Sequence, residues 1–432
     1  MIHRFEQWLL LRDALRWLVL AGLVAVLAGG AAAGFLLALE WATATREAHR
    51  GLVWGLPLAG FVIGWLYLKA GSAVEAGNNL LIDQIHDPRQ RVPLRMAPLV
   101  LVGTVVSHLF GASVGREGTA VQMGGALADQ LTHALRLKAE DRRLLLMAGI
   151  SGGFAAVFGT PLAGAVFGLE VLALGRLRYD ALWPCAVAAI VADLVAGAIL
   201  AAFGAHHAHY AVPLVPAVGA ASLGSAVLAG ALFGAMGMLF ANATHAGAAF
   251  MKRRVAYPPL RPLLGGIVIA AVIWFGDAWR YAGLGIPVIV EAFQQPLPPW
   301  DFAAKAALTV ASLATGFKGG EVTPLFFIGA TLGNALAPLL HQPAAWLAAL
   351  GFVGVFAGAA NTPLACTLMA MELFGAPIGV FAALACVASY LCSGHTGIYA
   401  SQRVGQPKHA RLQEGLRLRE VAEWRRRQRP PG

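Results

Sequence analysis

The sequence predicts an all-α polytopic membrane protein, and three observations support this fold class. Of the 432 residues, 58% are hydrophobic and only 12% are charged, and the mean hydropathy is +0.67. A soluble domain has about a quarter of its residues charged. The chain also contains 51 glycines, which suit the close packing of helices in lipid. No series of short alternating segments, the pattern of a membrane β-barrel, is visible.

The first elements follow from the charge pattern near the N-terminus. Residues 1–16 are charged and amphipathic and predict an interfacial helix on the membrane surface. Residues 17–39 form a charge-free run of 23 residues, long enough to span a bilayer, and residues 51–68 predict a second span. We predict four parts of the chain: an N-terminal interfacial helix (1–16), a first membrane repeat (17–205), a second membrane repeat (206–402) and a basic cytoplasmic tail (403–432).

Two halves of the chain repeat the same pattern. The tetrapeptide TPLA at residues 160–163 recurs at residues 362–365, an offset of 362 − 160 = 202, and Glu170 matches Glu372 at that offset. The apolar segments around them are short and interrupted by glycine and proline. Such segments at corresponding places in two halves indicate a transporter binding site. The two glutamates could be the paired acids of an enzyme, but as repeat mates they favour a structural role, accepting hydrogen bonds from loop amides.

Three places put glycines and polar residues directly before an apolar segment, namely 77–79 (GNN), 115–118 (GREG) and 319–324 (GGEVTP). Each predicts the start of a helix embedded in the membrane. The free N–H groups and the positive dipole end of such a helix attract an anion. A glycine hinge explains any one of them equally well. Three together, two of them in register with the repeat, favour anion transport.

Glu117 lies between Gly115 and Gly118, at a depth where an unpaired charge is costly, so it is a candidate functional residue. Its carboxylate can itself occupy an anion site that faces helix N-termini. Protonation removes that attraction, so one side chain can exchange an anion for a proton. The alternative is a solvated glutamate in a short extramembrane loop. At the repeat offset 321 − 117 = 204, Glu117 and Thr119 match Glu321 and Thr323.

At these residues the chain resembles the CLC family of anion channels and transporters along nearly its whole length. The family motifs GSGIP, GREGP and GGxFxP correspond to residues 77–81, 115–119 and 319–324, and the family's tyrosine corresponds to Tyr399. The resemblance implies a CLC-type inverted repeat with many tilted and broken helices. It also implies a homodimer with one ion pathway per subunit and both termini in the cytoplasm.

The departures from the family pattern are informative. Asn78 falls on the serine that lines the family's central anion site, and Val171 replaces the second glutamate found in many chloride/proton antiporters. These departures resemble the fluoride/proton antiporter clade. The resemblance implies that Glu117 is the proton-carrying gate and that Glu321 belongs to a possible proton pathway. The implied anion-binding residues are Asn78, Gly115, Gly118, Thr119, Thr323 and Tyr399.

We therefore expect a fluoride/proton antiporter that exports fluoride, with fluoride or chloride ions, protons and membrane lipid as its partners. The alternative is a chloride-selective CLC antiporter or channel. A membrane-embedded enzyme is disfavoured, because the sequence has no GxSxG, HExxH or clustered-aspartate metal motif. No cofactor and no metal are expected.

The net charge, the cysteines and the histidines give no sign of nucleic-acid binding or of a metal site. The net charge of +10 does not imply nucleic acid, because residues 403–429 concentrate nine basic and three acidic residues, the pattern of a cytoplasmic tail. The four cysteines lie in apolar runs and predict packing residues. The histidines at 206, 207 and 209 predict a solvated turn rather than a metal site. The chain ends soon after its last predicted helix without an appended regulatory domain, which favours a bacterial inner (plasma) membrane.

Overall fold

The computed structural model of the chain describes residues 2–208 and 210–428, with side chains from Glu6 onward. Within these residues, two sets of eight helices are followed by a short tail. The first set is α1 (Ile2–Ala48), α2 (Leu56–Leu66), α3 (Asn78–His86), α4 (Met96–Leu109), α5 (Glu117–Ala134), α6 (Ala139–Phe158), α7 (Pro161–Glu170) and α8 (Leu182–Ala202). The second set is α9 (Ala220–Arg254), α10 (Leu260–Phe275), α11 (Ile286–Ala292), α12 (Asp301–Thr315), α13 (Val322–Leu340), α14 (Ala344–Ala360), α15 (Pro363–Phe374) and α16 (Gly379–Cys392).

The same helix crossing is built twice from glycine. A Cβ added at Gly124 of α5 would lie 2.2 Å from the carbonyl oxygen of Gly149 of α6. In the second half, a Cβ at Gly329 of α13 would lie 1.9 Å from the carbonyl oxygen of Gly351 of α14. Neither crossing has room for any side chain, so the glycines allow the two backbones to touch. The crossings place α5 and α13 at equivalent positions in the two halves.

The repeat glutamates join the two halves reciprocally. Glu170, the last residue of α7, accepts hydrogen bonds from the backbone N–H groups of Leu364 (3.0 Å) and Ala365 (2.9 Å) at the start of α15. Glu372 of α15 accepts from the N–H groups of residues 162 and 163 at the start of α7, at 2.8 and 2.9 Å. A carboxylate at a helix N-terminus stabilises that helix. The bonds agree with the predicted structural role, and each glutamate bonds the opposite half.

Five helical stretches in the described part of the chain are long and apolar enough to cross a membrane, judged by length and composition: Glu6–Ala48, Arg50–His86, Tyr179–Ala202, Ala220–Arg254 and Val322–Leu340. Residues 2–16 are not a separate element, because α1 continues without a break from Ile2 to Ala48. At about 1.5 Å per residue, α1 is much longer than the hydrocarbon core is thick. The interfacial location of residues 1–16 stays a prediction.

Other elements differ from expectation in detail. The connection between the halves spans 203–219, and His209, one of the three predicted turn histidines, lies outside the described residues. The basic residues at 252–254 form the last turn of α9. Three cysteines are buried as predicted, whereas Cys392 at the end of α16 is exposed.

The tail folds back against the membrane domain. Residues Arg403–Val404 (β2) pair in parallel with Ala173–Leu174 (β1), which follow α7 in the first half. The tail then forms α17 (Leu418–Arg427), whose Leu418 and Val421 are buried against Leu174 and Val404. A small apolar cluster therefore holds the tail in place.

Candidate functional site

Two glycine loops meet where the predicted site residues lie. The N–H of Gly115 donates to the carbonyl of Gly320 at 2.6 Å, and the N–H of Gly320 donates to the carbonyl of Gly115 at 2.8 Å, which forms an antiparallel bridge. A Cβ at Gly115 would lie 2.8 Å from that Gly320 oxygen. Only glycine allows this approach, and it brings the N-termini of α5 and α13 together. The Gly115 amide is used in this bridge, and the predicted role of Gly115 in binding the anion stays a prediction.

Glu117 is the first residue of α5, and its side chain is fully buried. One carboxylate oxygen, Oε2, accepts hydrogen bonds from the backbone N–H groups of Thr323 (3.0 Å) and Arg116 (3.2 Å). The other oxygen, Oε1, accepts from the hydroxyl of Thr323 and lies 3.4 Å from Nε of Arg116. Thr323 lies in the first turn of α13, so the carboxylate occupies the position at this helix N-terminus where an anion would bind.

Two cavities open on different faces of this contact. A narrow cavity of about 20 Å³ is lined by Glu117 and Thr323 together with Arg116, Tyr210, Phe326 and Phe352. A wide cavity of about 350 Å³ is lined by Asn78, Glu321 and Tyr399, and its wall includes Lys318, Lys252 and Arg261. The two glutamates at corresponding positions of the repeat therefore line different cavities.

Asn78, which lines the wide cavity, lies close to Gly118, the residue after Glu117. Asn78 is the first residue of α3, after Gly77, which has the positive φ of 56° that favours glycine. A Cβ added at Gly118 would lie 3.1 Å from Nδ2 of Asn78 and 3.2 Å from Cα of Gly320. The Asn78 amide therefore lies against the first turn of α5, next to Glu117. Glycine at 118 is what permits this contact.

The predicted site residues are not all brought together. Asn78, Glu321 and Tyr399 share the wide cavity, and Glu117 and Thr323 are in direct contact. Thr119 lines neither cavity, and its hydroxyl shares a 2.7 Å hydrogen bond with the hydroxyl of Thr104 of α4. The Thr119 hydroxyl therefore has one partner in α4, and its predicted role in binding the anion stays a prediction.

Sequence reasoning missed several residues around the site. The rings of Phe326 and Phe352 stack at 4.0 Å beside the narrow cavity, but phenylalanines in an apolar sequence give no signal of this. The ammonium of Lys318 lies 3.9 Å from the ring centre of Tyr67 in the wall of the wide cavity. This lysine directly precedes the glycines of GGEVTP, and a lone cation there was a signal that could have been used.

The fold and the site define a helical membrane protein in which buried helix N-termini face an ion pathway. Comparison with known proteins assigns the family: residues 59–394 match the model of the voltage gated chloride channel family, so the chain belongs to the CLC family. Its two sets of helices form the CLC membrane fold, and the protein is an integral membrane anion transporter of CLC type.

Individual relatives are similar over most of their length. The chain is 62% identical to a chloride/fluoride channel protein of Pseudomonas syringae pv. tomato, over 98% of this chain and 94% of that protein. It is 27% identical to the H⁺/Cl⁻ exchange transporter ClcA of Vibrio parahaemolyticus, over 82% of this chain and 81% of that one. The structure is similar to the crystal structure of a CLC-type fluoride/proton antiporter, with a TM-score of 0.86 over 90% of this chain and 97% of that chain. The two sequences are 35% identical. A slow cyanobacterial Cl⁻/H⁺ antiporter, 20% identical with a TM-score of 0.77 over 88% of this chain and 94% of that chain, shares the fold.

Proposed function

We propose that this protein is a fluoride/proton antiporter that exports fluoride, with Glu117 as its proton-carrying gate. The observation that carries the proposal is the position of the Glu117 carboxylate. It accepts a hydrogen bond from the backbone N–H of Thr323 at the start of α13, where a bound anion would lie. A side chain that occupies the anion position and can be neutralised by a proton links the movement of the two ions.

The exchange follows from hydrogen-bond chemistry. An ionised carboxylate only accepts hydrogen bonds, and the groups that face it, two backbone N–H groups and the Thr323 hydroxyl, all donate to it. Protonation turns one oxygen into a donor and removes the charge, which weakens the contacts. The neutral acid leaves the position, and an anion takes its place against the same donors.

Glu321 is the proposed proton partner on the other side of the gate. The second glutamate of many chloride/proton antiporters is replaced by Val171, whose side chain is buried and cannot carry a proton. Glu321 lines the wide cavity and lies two residues before Thr323, the residue that holds the Glu117 carboxylate. A proton released from Glu117 toward the wide cavity would therefore meet a carboxylate at the same helix start.

Fluoride is the proposed substrate because its small, strongly hydrated ion needs well-directed donors. The Asn78 amide offers two N–H donors where a serine hydroxyl offers one. Two comparisons support this choice: the structure with 35% identity is that of a fluoride/proton antiporter, and the relative with 62% identity is named for both chloride and fluoride. We also propose a homodimer in a bacterial inner membrane with both termini in the cytoplasm, the side favoured by the basic tail.

The test is ion efflux from liposomes that contain the purified protein. We expect fluoride efflux with simultaneous proton uptake, and slower chloride efflux under the same gradient. Faster chloride efflux with proton uptake would replace the proposal with a chloride antiporter. Anion efflux without proton movement would indicate a channel. Absence of any anion flux from the folded protein would refute the proposed transport function.

A further inference from the structure

The tail is attached by charge to the helix that carries Asn78. Asp87 follows the last residue of α3, and its Oδ2 accepts from a guanidinium nitrogen of Arg403 at 2.5 Å and of Arg417 at 3.4 Å. One turn earlier, Asp83 lies 3.4 Å from Arg417 and 3.7 Å from Arg419. Three arginines of the tail therefore face two aspartates of α3.

The segment just before the tail is bonded to α3 beside the proposed anion site. The N–H of Ser401 donates to the side-chain oxygen of Asn79 at 2.9 Å, and the Ser401 hydroxyl donates to Asp83 at 3.0 Å. Asn79 is the neighbour of Asn78, and Ser401 lies two residues after Tyr399. Asn78 and Tyr399 both line the wide cavity, and they are thus joined through one hydrogen-bonded segment.

The tail also fixes the other edge of this segment. The N–H groups of Leu418 and Arg419, where α17 begins, donate to the carbonyls of Gln402 (2.9 Å) and Ala400 (3.1 Å). The fully buried side chain of Gln402 donates to backbone carbonyls at residues 171 and 360, at 2.8 and 2.7 Å. Residues 400–402 are held on both sides, so a change in the tail is transmitted to them directly.

We propose that Asp83 and Asp87, with Arg403, Arg417 and Arg419, form a tail clamp whose function is to position Asn78 and Tyr399 for the anion. The inference rests on the proposed transport function. α3 has only nine residues, and a helix of this length is not stable without tertiary contacts. Its N-terminus must present Asn78 in a fixed place, and the tail clamp supplies contacts along its far end. These are positioning residues, since they reach the anion site only through α3 and residues 399–401.

The decisive variant is Asp87→Asn, which keeps the shape and removes the charge. Asp87 lies roughly 14 Å along the helix from Asn78, beyond the screening length at physiological salt, so a direct field effect on the anion is small. We expect roughly a fivefold rise in the anion concentration for half-maximal flux, with maximal flux little changed. Asp87→Glu should restore the wild-type value. Arg176→Gln is the matched control, because Arg176 pairs with Glu414 of the tail in an exposed contact that does not touch α3.

Two further measurements keep the test independent of the transported ion. Hydrogen exchange of the amides at residues 78–82 should be faster in Asp87→Asn than in the wild type and in Arg176→Gln. Raising impermeant salt should shift half-saturation in the wild type, because the paired side chains are 26–45% exposed, and should shift it less in Asp87→Asn.

Unchanged exchange at residues 78–82 in Asp87→Asn would overturn the clamp whatever the protein transports. Faster exchange with unchanged half-saturation in an active transporter would also overturn it. Absence of any anion flux in the wild type would refute the proposed function, while hydrogen exchange would still decide whether the clamp orders α3.

Discussion

Replacing Glu117 by glutamine should separate anion movement from proton movement. The carboxylate now accepts from the backbone N–H groups of Arg116 and Thr323 and from the Thr323 hydroxyl. Glutamine is uncharged, its single oxygen can accept from the two N–H groups, and its NH₂ group can only donate toward the hydroxyl. The shape is kept, whereas the charge and the proton-carrying ability are lost.

The size of the effect follows from those three bonds. A hydrogen bond to a charged group contributes about 1.5–3 kcal/mol and a neutral one about 0.5–1.5 kcal/mol. Changing three bonds from charged to neutral costs about 3 kcal/mol in all. That corresponds to roughly a hundredfold fall in how often the side chain occupies the anion position. The position should therefore be open to an anion for much of the time.

The assay records fluoride release with an ion-selective electrode and external pH in the same liposome suspension. Whether fluoride release continues or stops in Glu117→Gln, it should move no protons, and a fluoride gradient should drive no proton uptake. Glu423→Gln, a change of an exposed tail glutamate, is the control for loss of a carboxylate in general. Coupled proton uptake at the wild-type ratio in a folded Glu117→Gln protein would refute the gate assignment.

Four other outcomes are expected. Glu321→Gln should fold and dimerise in size-exclusion chromatography yet transport slowly; normal flux would reduce Glu321 to a helix-capping residue. Asn78→Ser should lower the fluoride-to-chloride flux ratio in liposomes, and an unchanged ratio would remove Asn78 from selectivity, because serine caps a helix about as well as asparagine. Glu170→Gln or Glu372→Gln should each cost about 2–3 kcal/mol by weakening two charge-assisted bonds between the halves, seen as a lower melting temperature in detergent at near-normal ion selectivity. Burial lowers the pKa of His395 from its usual 6.5 to about 4, so its contribution to stability is present above pH 6.5 and falls as the pH drops toward 4; hydrogen exchange of residues 403–428, corrected for intrinsic rates, should be faster at pH 4.5 than at pH 7.5.

Much of the helical framework was predictable, because glycine, proline and charge mark where the apolar segments end. The helix starts predicted at 77–79, 115–118 and 319–324 coincide with the starts of α3, α5 and α13. No helix break marks the predicted boundary after residue 16, since the charged turns continue directly into the apolar part of α1. A change in composition marks a change of environment, and a helix can pass through it unbroken.

The site was predictable only in part, and the reason is long-range geometry. Glycines and polar groups before an apolar run are a local signal, and they marked the segments that contain Asn78, Glu117 and Thr323. The roles of Asn78 and Thr323 in binding the anion came from the resemblance to the CLC family. The local signal could not show that Thr119 pairs with Thr104, or that the Gly115 amide is used by Gly320. Both contacts depend on how distant helices cross. Glu117 and Glu321 are repeat mates, yet they do not share equivalent contacts.

In the proposed mechanism, the different contacts of Glu117 and Glu321 would give the pathway its direction. A symmetric site would let Glu321 bond the hydroxyl of Thr119 as Glu117 bonds that of Thr323, and the two faces of the gate would then be equivalent. Thr119 is instead held by Thr104, and Glu321 faces the wide cavity. In the proposed mechanism, Glu117 closes the pathway at a helix N-terminus while Glu321 faces the wide cavity. An exchanger of the proposed kind, which loads and releases protons on different sides, needs such an asymmetry, and here it would come from the pairing of Thr119 with Thr104 within one half of the repeat.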